Sequence, residues 1–347
     1  MRAATVADLF RFDEVIDVRS PGEFAADHVP GAINLPVLDN EERASIGTLY
    51  KQVSPFEAKK AGAARIAHNL ARHLDTHFAD KPKSWRPLVY CWRGGNRSGA
   101  MTHVLQRIGF GALQLEGGYK AYRRHVVAEL ARLPRLLRFR VICGPTGCGK
   151  SRLLSVLDEV GAQVLDLEAL AVHRGSLLGA LPGSPQPAQK GFESAVWSAL
   201  TRFDPSRPVY VEAESKKIGA LTVPAGLVDA MRASACVRLD APLSARVRLL
   251  IEDYAQFLAQ PDDLNARLAH LVELRGKDAV KTWQAMAHGG AWPALVTTLL
   301  ETHYDPAYRK SLSAHYTPRA DDASFHTADL SPASLRALAV RILAEAG

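Results

Sequence analysis

Phe139-Arg140-Val141-Ile142-Cys143-Gly144-Pro145-Thr146-Gly147-Cys148-Gly149-Lys150-Ser151 is a short apolar run that ends in the pattern G-x-x-x-x-G-K-[ST]. The apolar run predicts a strand, and a helix is predicted to begin near Arg152. A glycine-rich loop between strand and helix lets successive backbone N–H groups wrap a phosphate at the helix N-terminus. Gly144, Gly147 and Gly149 supply the wrap, Lys150 reaches the phosphate oxygens, and Ser151 can hold Mg²⁺. Further strands are expected at Val164-Leu165, Val209-Tyr210-Val211 and Val237-Arg238-Leu239, which makes this half an α/β layer. From Ser244 onward the pattern turns mostly helical, with Leu243, Val247, Leu250 and Ile251 on one face.

Four carboxylates lie where such a loop needs partners: Asp166 and Glu168 after the second strand, and Glu212 and Glu214 after the third. One of them is expected to bind Mg²⁺ through water or to contact substrate, and His173 and Arg174, in a loop-like stretch, join them as candidate contacts. No aspartate ends the strand at Val211, so strong ATPase activity is not expected. Cys148 reads as a small residue that fits the loop. Gln189, Phe192 and Glu193, and the basic pair Lys216-Lys217, read more readily as ordinary surface than as site.

Upstream, Val15-Ile16-Asp17-Val18 predicts a strand, and Pro21-Gly22-Glu23-Phe24 the start of a helix. A second strand is expected near Ile33. Leu88-Val89-Tyr90 leads into Cys91-Trp92-Arg93-Gly94-Gly95-Asn96-Arg97-Ser98, followed by a helix through Met101, Val104, Leu105 and Ile108. The cysteine thus sits between a strand and a helix. Gly94 and Gly95 let N–H groups turn inward, the helix contributes its positive end, and Arg93 and Arg97 add charge. That setting should lower the pKa of Cys91 and hold a tetrahedral anion over its sulfur. Leu113-Gln114-Leu115 and Gly117-Gly118-Tyr119 predict one more strand and a tight return.

At 347 residues, two domains are expected, residues 1–134 and 135–347. Four cysteines with no C-x-x-C pair argue against disulfides, and the twelve histidines show no metal-site spacing, so no structural metal is expected. Cys143 and Cys236 read as inert buried residues. The N-terminal residues lack the apolar core of a signal peptide and no stretch is long enough to span a bilayer, so a cytoplasmic location is expected. Of the net charge of +7, the part before Leu136 carries +6, with 20 Lys/Arg against 14 Asp/Glu. Arg132, Arg135, Arg138 and Arg140 at the junction suit a phosphate backbone or a solvated linker equally.

Asp17-Val18-Arg19-Ser20-Pro21, His28-Val29-Pro30-Gly31-Ala32, the Cys91 loop and Gly117-Gly118-Tyr119 together resemble a rhodanese-like domain. Simple sulfurtransferases usually place arginine five residues after the cysteine; here Asn96 holds that position and Arg97 follows. The resulting C-x5-R loop is also the pattern of tyrosine and dual-specificity phosphatases. A sulfurtransferase or a phosphatase-like enzyme fused to a nucleotide-binding domain is therefore the alternative reading.

The cysteine loop followed by a P-loop near mid-chain resembles the tRNA 2-selenouridine synthases. So do Leu167-Glu168-Ala169-Leu170, Gln186-Pro187 with Phe192-Glu193, and His303-Tyr304-Asp305-Pro306-Ala307-Tyr308. The resemblance implies a rhodanese-like α/β domain plus a P-loop NTPase-like α/β domain with a helical C-terminal part. It implies a transferase acting on wobble 2-thiouridine of tRNA, with geranyl diphosphate and selenophosphate as co-substrates and Mg²⁺ at the P-loop. An enzyme that supplies selenophosphate is the implied protein partner. Cys91 would serve selenium transfer and Lys150 phosphate binding, and Trp92 or Tyr119 would stack on the base or pack around the loop.

Overall fold

The computed structural model describes residues 3–176, 178–181 and 183–346. The chain divides into two compact units, one running to Leu130 together with Pro187–Ser198, the other comprising Ala131–Gln186 and the residues from Ala199 onward.

The first unit contains β1 (Glu14–Asp17), α1 (Pro21–Ala26), β2 (Ile33–Asn34), α2 (Asn40–Gln52), α3 (Pro55–Asp75), β3 (Pro87–Tyr90), α4 (Asn96–Ile108), β4 (Leu113–Gln114) and α5 (Gly118–Arg132). Its four strands form one parallel sheet in the order β2-β1-β3-β4, with Ile16 opposite Ile33 and Val89, and Leu88 opposite Leu113. Parallel strands covered on both faces need apolar residues at successive positions, and Leu88, Val89 and Tyr90 are completely buried. The helices start where the sequence supplies caps: Glu23 accepts from the Ser20 N–H at 3.2 Å, and Asp39 accepts from the Glu42 N–H at 2.8 Å. Gly109 ends α4 in the left-handed conformation at φ +115°.

The second unit opens with β5 (Arg138–Cys143), α6 (Lys150–Glu159), β6 (Gln163–Leu165) and α7 (Leu167–Ala171). Next in the chain is α8 (Gln189–Leu200), most of which packs with the first unit: Arg123 pairs with Glu193, and the Tyr122 and Trp197 rings meet edge-on at 5.6 Å. A single cut at residue 134 therefore does not capture Pro187–Ser198, because aromatic and charged partners draw that segment to α5.

The chain continues through β7 (Pro208–Glu212), the short hairpin β8 (Lys217–Ile218) and β9 (Leu221–Thr222), α9 (Ala225–Arg232), β10 (Ala235–Asp240) and α10 (Leu243–Asp253). A helical region follows, α11 (Ala255–Ala259), α12 (Pro261–Leu268), α13 (Val272–Arg275), α14 (Lys277–His288), α15 (Trp292–Leu299) and α16 (Asp305–His315), before β11 (Ala323–His326) and α17 (Pro332–Ala346).

Five parallel strands run in the order β11-β10-β5-β7-β6. Leu153, Leu154 and Leu157 of α6 and Leu335, Leu338 and Ile342 of α17 close over Ile142, Val237 and Leu239. The helical region holds its own core around Leu264, Leu268, Trp283, Leu295 and Leu299. The α/β architecture with a helical C-terminal part is thus as expected. Strand β5 lies between β10 and β7, so the chain leaving its C-terminal end enters the crevice where open parallel sheets bind ligands. Among the described residues no helix is long and apolar enough to cross a membrane.

Candidate active sites: a thiol cradle and a phosphate loop

Cys91 follows the last residue of β3, and the loop returns at Asn96 into α4. Gly94 has φ +68°, and a Cβ there would lie 2.7 Å from the Leu115 carbonyl oxygen. Gly118, at φ +57°, would place a Cβ 2.2 Å from the Cys91 carbonyl oxygen and 2.5 Å from the Gly94 nitrogen. Only glycine lets these two turns meet backbone to backbone. The Tyr119 N–H then donates to the Cys91 carbonyl at 2.8 Å and the Lys120 N–H to the Trp92 carbonyl at 3.1 Å.

The sulfur of Cys91 is nearly enclosed, the residue being 4% exposed. It accepts from the Gly95 N–H at 3.3 Å and from Ser98 Oγ at 3.1 Å. Gln114 Nε2 donates to Ser98 Oγ at 2.7 Å, which directs the serine proton toward the sulfur. Burial pushes the thiol up, but hydrogen bonds from the Ser98 side chain and backbone and from Gly95, with the charge of Arg97, outweigh it and hold the thiol below the ordinary 9.0. Arg97 itself is fixed by Glu23, Nη1 to Oε2 at 2.8 Å. Arg93 is exposed.

The floor of this loop explains the early motifs. Arg19 is 1% exposed, bonded to Asp17 at 2.6 Å and to the Asp27 carbonyl at 2.6 Å, with its guanidinium 4.0 Å from the centre of the Tyr119 ring. Tyr119 donates to Asp27 at 2.8 Å and carries Trp92 stacked upon it at 5.2 Å. Tyr119 is therefore packing, at 3% exposure, while Trp92 keeps a face at 36%.

In the second unit, Gly147 and Gly149 both have φ +80°. At Gly144 a Cβ would come 2.5 Å from Cys148 Sγ and 2.7 Å from the Leu239 carbonyl oxygen, so the loop begins pressed against β10. Lys150 Nζ lies 3.4 Å from Glu212 Oε1 and 3.4 Å from the Pro145 carbonyl oxygen. Burial lowers this lysine, yet Glu212 and neighbouring groups raise it more, so it stays charged.

Ser151 Oγ is within 3.1 Å of Glu168 Oε2 and 3.0 Å of Glu212 Oε2. Glu168, Glu212 and Glu214 each bring an oxygen within 4.8 Å of the others. Burial followed by repulsion from Glu212 pushes Glu168 up to about 9 and Glu214 up to about 7. A hydroxyl with three crowded carboxylates is a hard-oxygen donor set, which fits Mg²⁺. Gly175, at φ +67°, is required here because a Cβ would lie 2.7 Å from Glu168 Oε1 and 2.8 Å from Glu214 Oε1.

The other expected contacts divide. Arg174 borders the cleft, its guanidinium 5.0 Å from the Tyr254 ring centre and bonded to the Asp253 carbonyl. Asp166 also borders it but caps α7, accepting from the Ala169 N–H at 2.8 Å. His173 is buried and accepts from the Gly175 N–H at 3.1 Å; it borders a separate hollow beside Gln186 and Gly219. At the junction, Arg138 bonds the Ser206 carbonyl and Arg140 lies 3.4 Å from Asp321, so both engage the protein itself. Cys143 and Cys236 are buried together, Sγ to Sγ 3.1 Å; donation to Cys236 and burial keep Cys143 protonated.

Sequence reasoning missed Arg246 of α10. This buried arginine donates from Nε and Nη2 to the Thr146 carbonyl at 2.9 and 2.8 Å and pairs with Asp305 at 2.6 Å, so it ties the phosphate loop to α16. Its signal was one charged position on an otherwise apolar helix face.

A rhodanese-like domain model matches residues 3–125, and the model of the tRNA 2-selenouridine synthase AAA domain matches residues 137–271. The tRNA 2-selenouridine synthase of Nitrosomonas europaea is 37% identical over 244 residues, 69% of this chain and 63% of that protein. That of Hydrogenovibrio crunogenus is 37% identical over 70% of this chain and 68% of that protein. That of Cronobacter sakazakii is 33% identical over 91% of each. The chain thus spans less than two thirds of the Nitrosomonas protein but nearly all of the Cronobacter one. With both cradles formed from the residues that carry the domain motifs, the chain belongs to the tRNA 2-selenouridine synthase family.

Proposed function

We propose that this chain is an enzyme acting on the anticodon loop of tRNA, where it converts a wobble 2-thiouridine to 2-selenouridine through S-geranyl-2-thiouridine. The observation that carries the reading is a pair of anion cradles of different chemistry. One surrounds a thiol held below its ordinary range; the other surrounds a buried, charged lysine.

In the first stage the backbone of Gly144–Ser151 and Lys150 bind the diphosphate of geranyl diphosphate. The base sulfur attacks C1 of the geranyl group, the C1–O bond breaks, and pyrophosphate leaves with its charge stabilised by the loop. Ser151, Glu168, Glu212 and Glu214 are the residues that would hold Mg²⁺, which would offset diphosphate charge when bound. In the second stage the alkylated sulfur is a better leaving group. Selenophosphate, held in the Cys91 cradle where Arg93 and Arg97 favour the anionic donor, attacks the base carbon through selenium; geranylthiol departs as the C–Se bond forms, and water cleaves the P–Se bond to release phosphate.

The base must leave its stack, as it readily does in a single-stranded loop, and the exposed face of Trp92 suits an unstacked ring. The charge excess of the N-terminal part suits a polyanionic partner. Incubating the protein with thiolated tRNA, geranyl diphosphate and selenophosphate and weighing the nucleosides tests the reading. Sequential appearance of the geranylated and selenated nucleosides is expected; thiouridine that stays unchanged, with all components present, overturns it.

A further inference from the structure

Outside both cradles, the first unit carries a groove that the reaction above leaves unassigned. It lies between α2, α3 and α4, takes up about 820 Å³, and ends at Asn96 and Arg97, the first residues of α4 after the cysteine loop. Its floor is aliphatic, made by Ile46 of α2, Ile66 and Leu70 of α3, and Val104 of α4. Four cations border it, Arg43, Lys51, Lys59 and Arg97, and among the described residues no carboxylate does.

The cations divide into two pairs. Arg43 and Arg97 share Glu23, at 3.8 and 2.8 Å, so one carboxylate offsets part of their charge. Lys51 and Lys59 are exposed, and among the described residues neither has an acidic partner. Because a helix rises about 1.5 Å per residue, the rim from Arg43 to Lys51 runs about 12 Å along α2. At its far end, around the turn between α2 and α3, three large apolar side chains face solvent: Tyr50 at 53% exposure, Val53 at 72% and Phe56 at 70%. Tyr50 also borders the groove.

An unstacked base has two apolar faces and hangs from an anionic backbone. Single-stranded RNA therefore matches an apolar floor under a cationic rim that carries an aromatic ring. A base brought to Cys91 is joined through phosphates to its neighbours, and the groove leads away from that same loop. An acidic amphipathic helix of another protein would match the charge, but nothing would require its seat to begin at the cysteine loop.

We infer that this groove receives the nucleotides beside the wobble position, with Lys51 and Lys59 neutralising their phosphates and Tyr50 stacking on one base. The inference rests on the reading that the wobble base is modified at the Cys91 loop.

Fluorescence anisotropy of a labelled anticodon stem-loop hairpin carrying 2-thiouridine, titrated with the full chain across a KCl series, tests it. Each single-strand phosphate neutralised contributes about −0.7 to the slope of log affinity against log salt. Lys51→Gln/Lys59→Gln should therefore weaken binding and flatten the slope by about 1.4. Tyr50→Ala should weaken binding roughly tenfold at unchanged slope. Lys83→Gln, at an exposed lysine that does not border the groove, should change neither. In the wild-type protein, acetylation of Lys51 and Lys59, mapped by mass, should slow when the hairpin is bound; this readout needs no variant.

Wild-type binding that the groove variants match in affinity and slope would overturn the inference, leave tRNA as the substrate, and make an acidic protein segment the next occupant to try. So would acetylation that the hairpin does not slow. A slope flattened by about 0.7 in Lys83→Gln would mean diffuse attraction over the whole surface, and would overturn it as well. Absence of hairpin binding by the wild-type protein would overturn the tRNA reading, and the inference with it.

Discussion

Glu23 of α1 and Arg97 of the cysteine loop form a part-buried ion pair, Oε2 to Nη1 at 2.8 Å, in which the strand-turn-helix opening of the chain holds an arginine whose charge acts on Cys91. Burial raises Glu23, but its bonds and charge interaction with Arg97, the Ser20 N–H and Arg43 more than compensate, leaving it below 4.5. A depressed folded-state value means that the pair stabilises the fold above about pH 4.5 and that this contribution is lost as pH falls through the lower folded value. Thermal melts from neutral pH into acid should therefore show a steeper loss for the wild-type protein than for Glu23→Gln. Parallel curves would remove the pair from the account of stability.

Ser98 is the strongest single support of the Cys91 thiolate. Because the thiol titrates below 9.0, its alkylation rate should rise with pH and level off earlier than that of an ordinary cysteine. In Ser98→Ala the levelling should move to higher pH, and the rate at neutral pH should drop by roughly tenfold, the equivalent of one lost hydrogen bond to a charged group. Iodoacetamide labelling, followed by mass mapping of the Cys91 peptide, reads both.

The two cradles should fail separately. Cys91→Ser should abolish selenouridine while geranylated nucleoside still accumulates. Lys150→Ala should stop geranylation yet leave selenation of tRNA supplied already geranylated. Nucleoside mass analysis of each variant with each substrate decides it, and a variant that loses both activities with its fold intact contradicts the division of labour.

Gly118 is a position where stability and site geometry share one atom. Alanine there would be held at φ +57° and driven into the Cys91 carbonyl. Strain in a disfavoured backbone region is worth about 1–3 kcal/mol before any overlap is counted. Gly118→Ala should reduce the unfolding free energy by at least that, lowering the denaturation midpoint, and raise the pH of Cys91 alkylation; an unchanged midpoint would refute the backbone contact.

Much of this was legible in the chain because it depends on backbone chemistry. Strand, glycine turn and helix start follow one another at both cradles, and Glu168, Glu212 and Glu214 could be singled out because each lies at or just beyond the end of a strand. Helices α2 and α3 were not legible. Among the described residues α2 buries none, and α3 buries Ala58, Gly62, Asn69, Leu70 and His73, a face too small and polar to give an apolar period. Strand β11 was hidden for a similar reason, since only Phe325 of its four residues is buried. Arg246 showed only as a charge on an apolar helix face, and its role stayed hidden because its partners, Thr146 and Asp305, lie 100 and 59 residues away. Local pattern finds the loops that bind; it does not find the distant side chains that brace them.

The contact of Gly94 with Gly118 leaves no side chain between the two turns that could yield to a larger visitor. The separation of the Cys91 loop from the return at Gly117-Gly118 is thereby a property of peptide geometry, which a change of side-chain charge nearby would leave unaltered. If the loop takes the donor proposed for it, the fit of that anion would be set by the number of residues in the loop, and changing the donor would call for an insertion or deletion there.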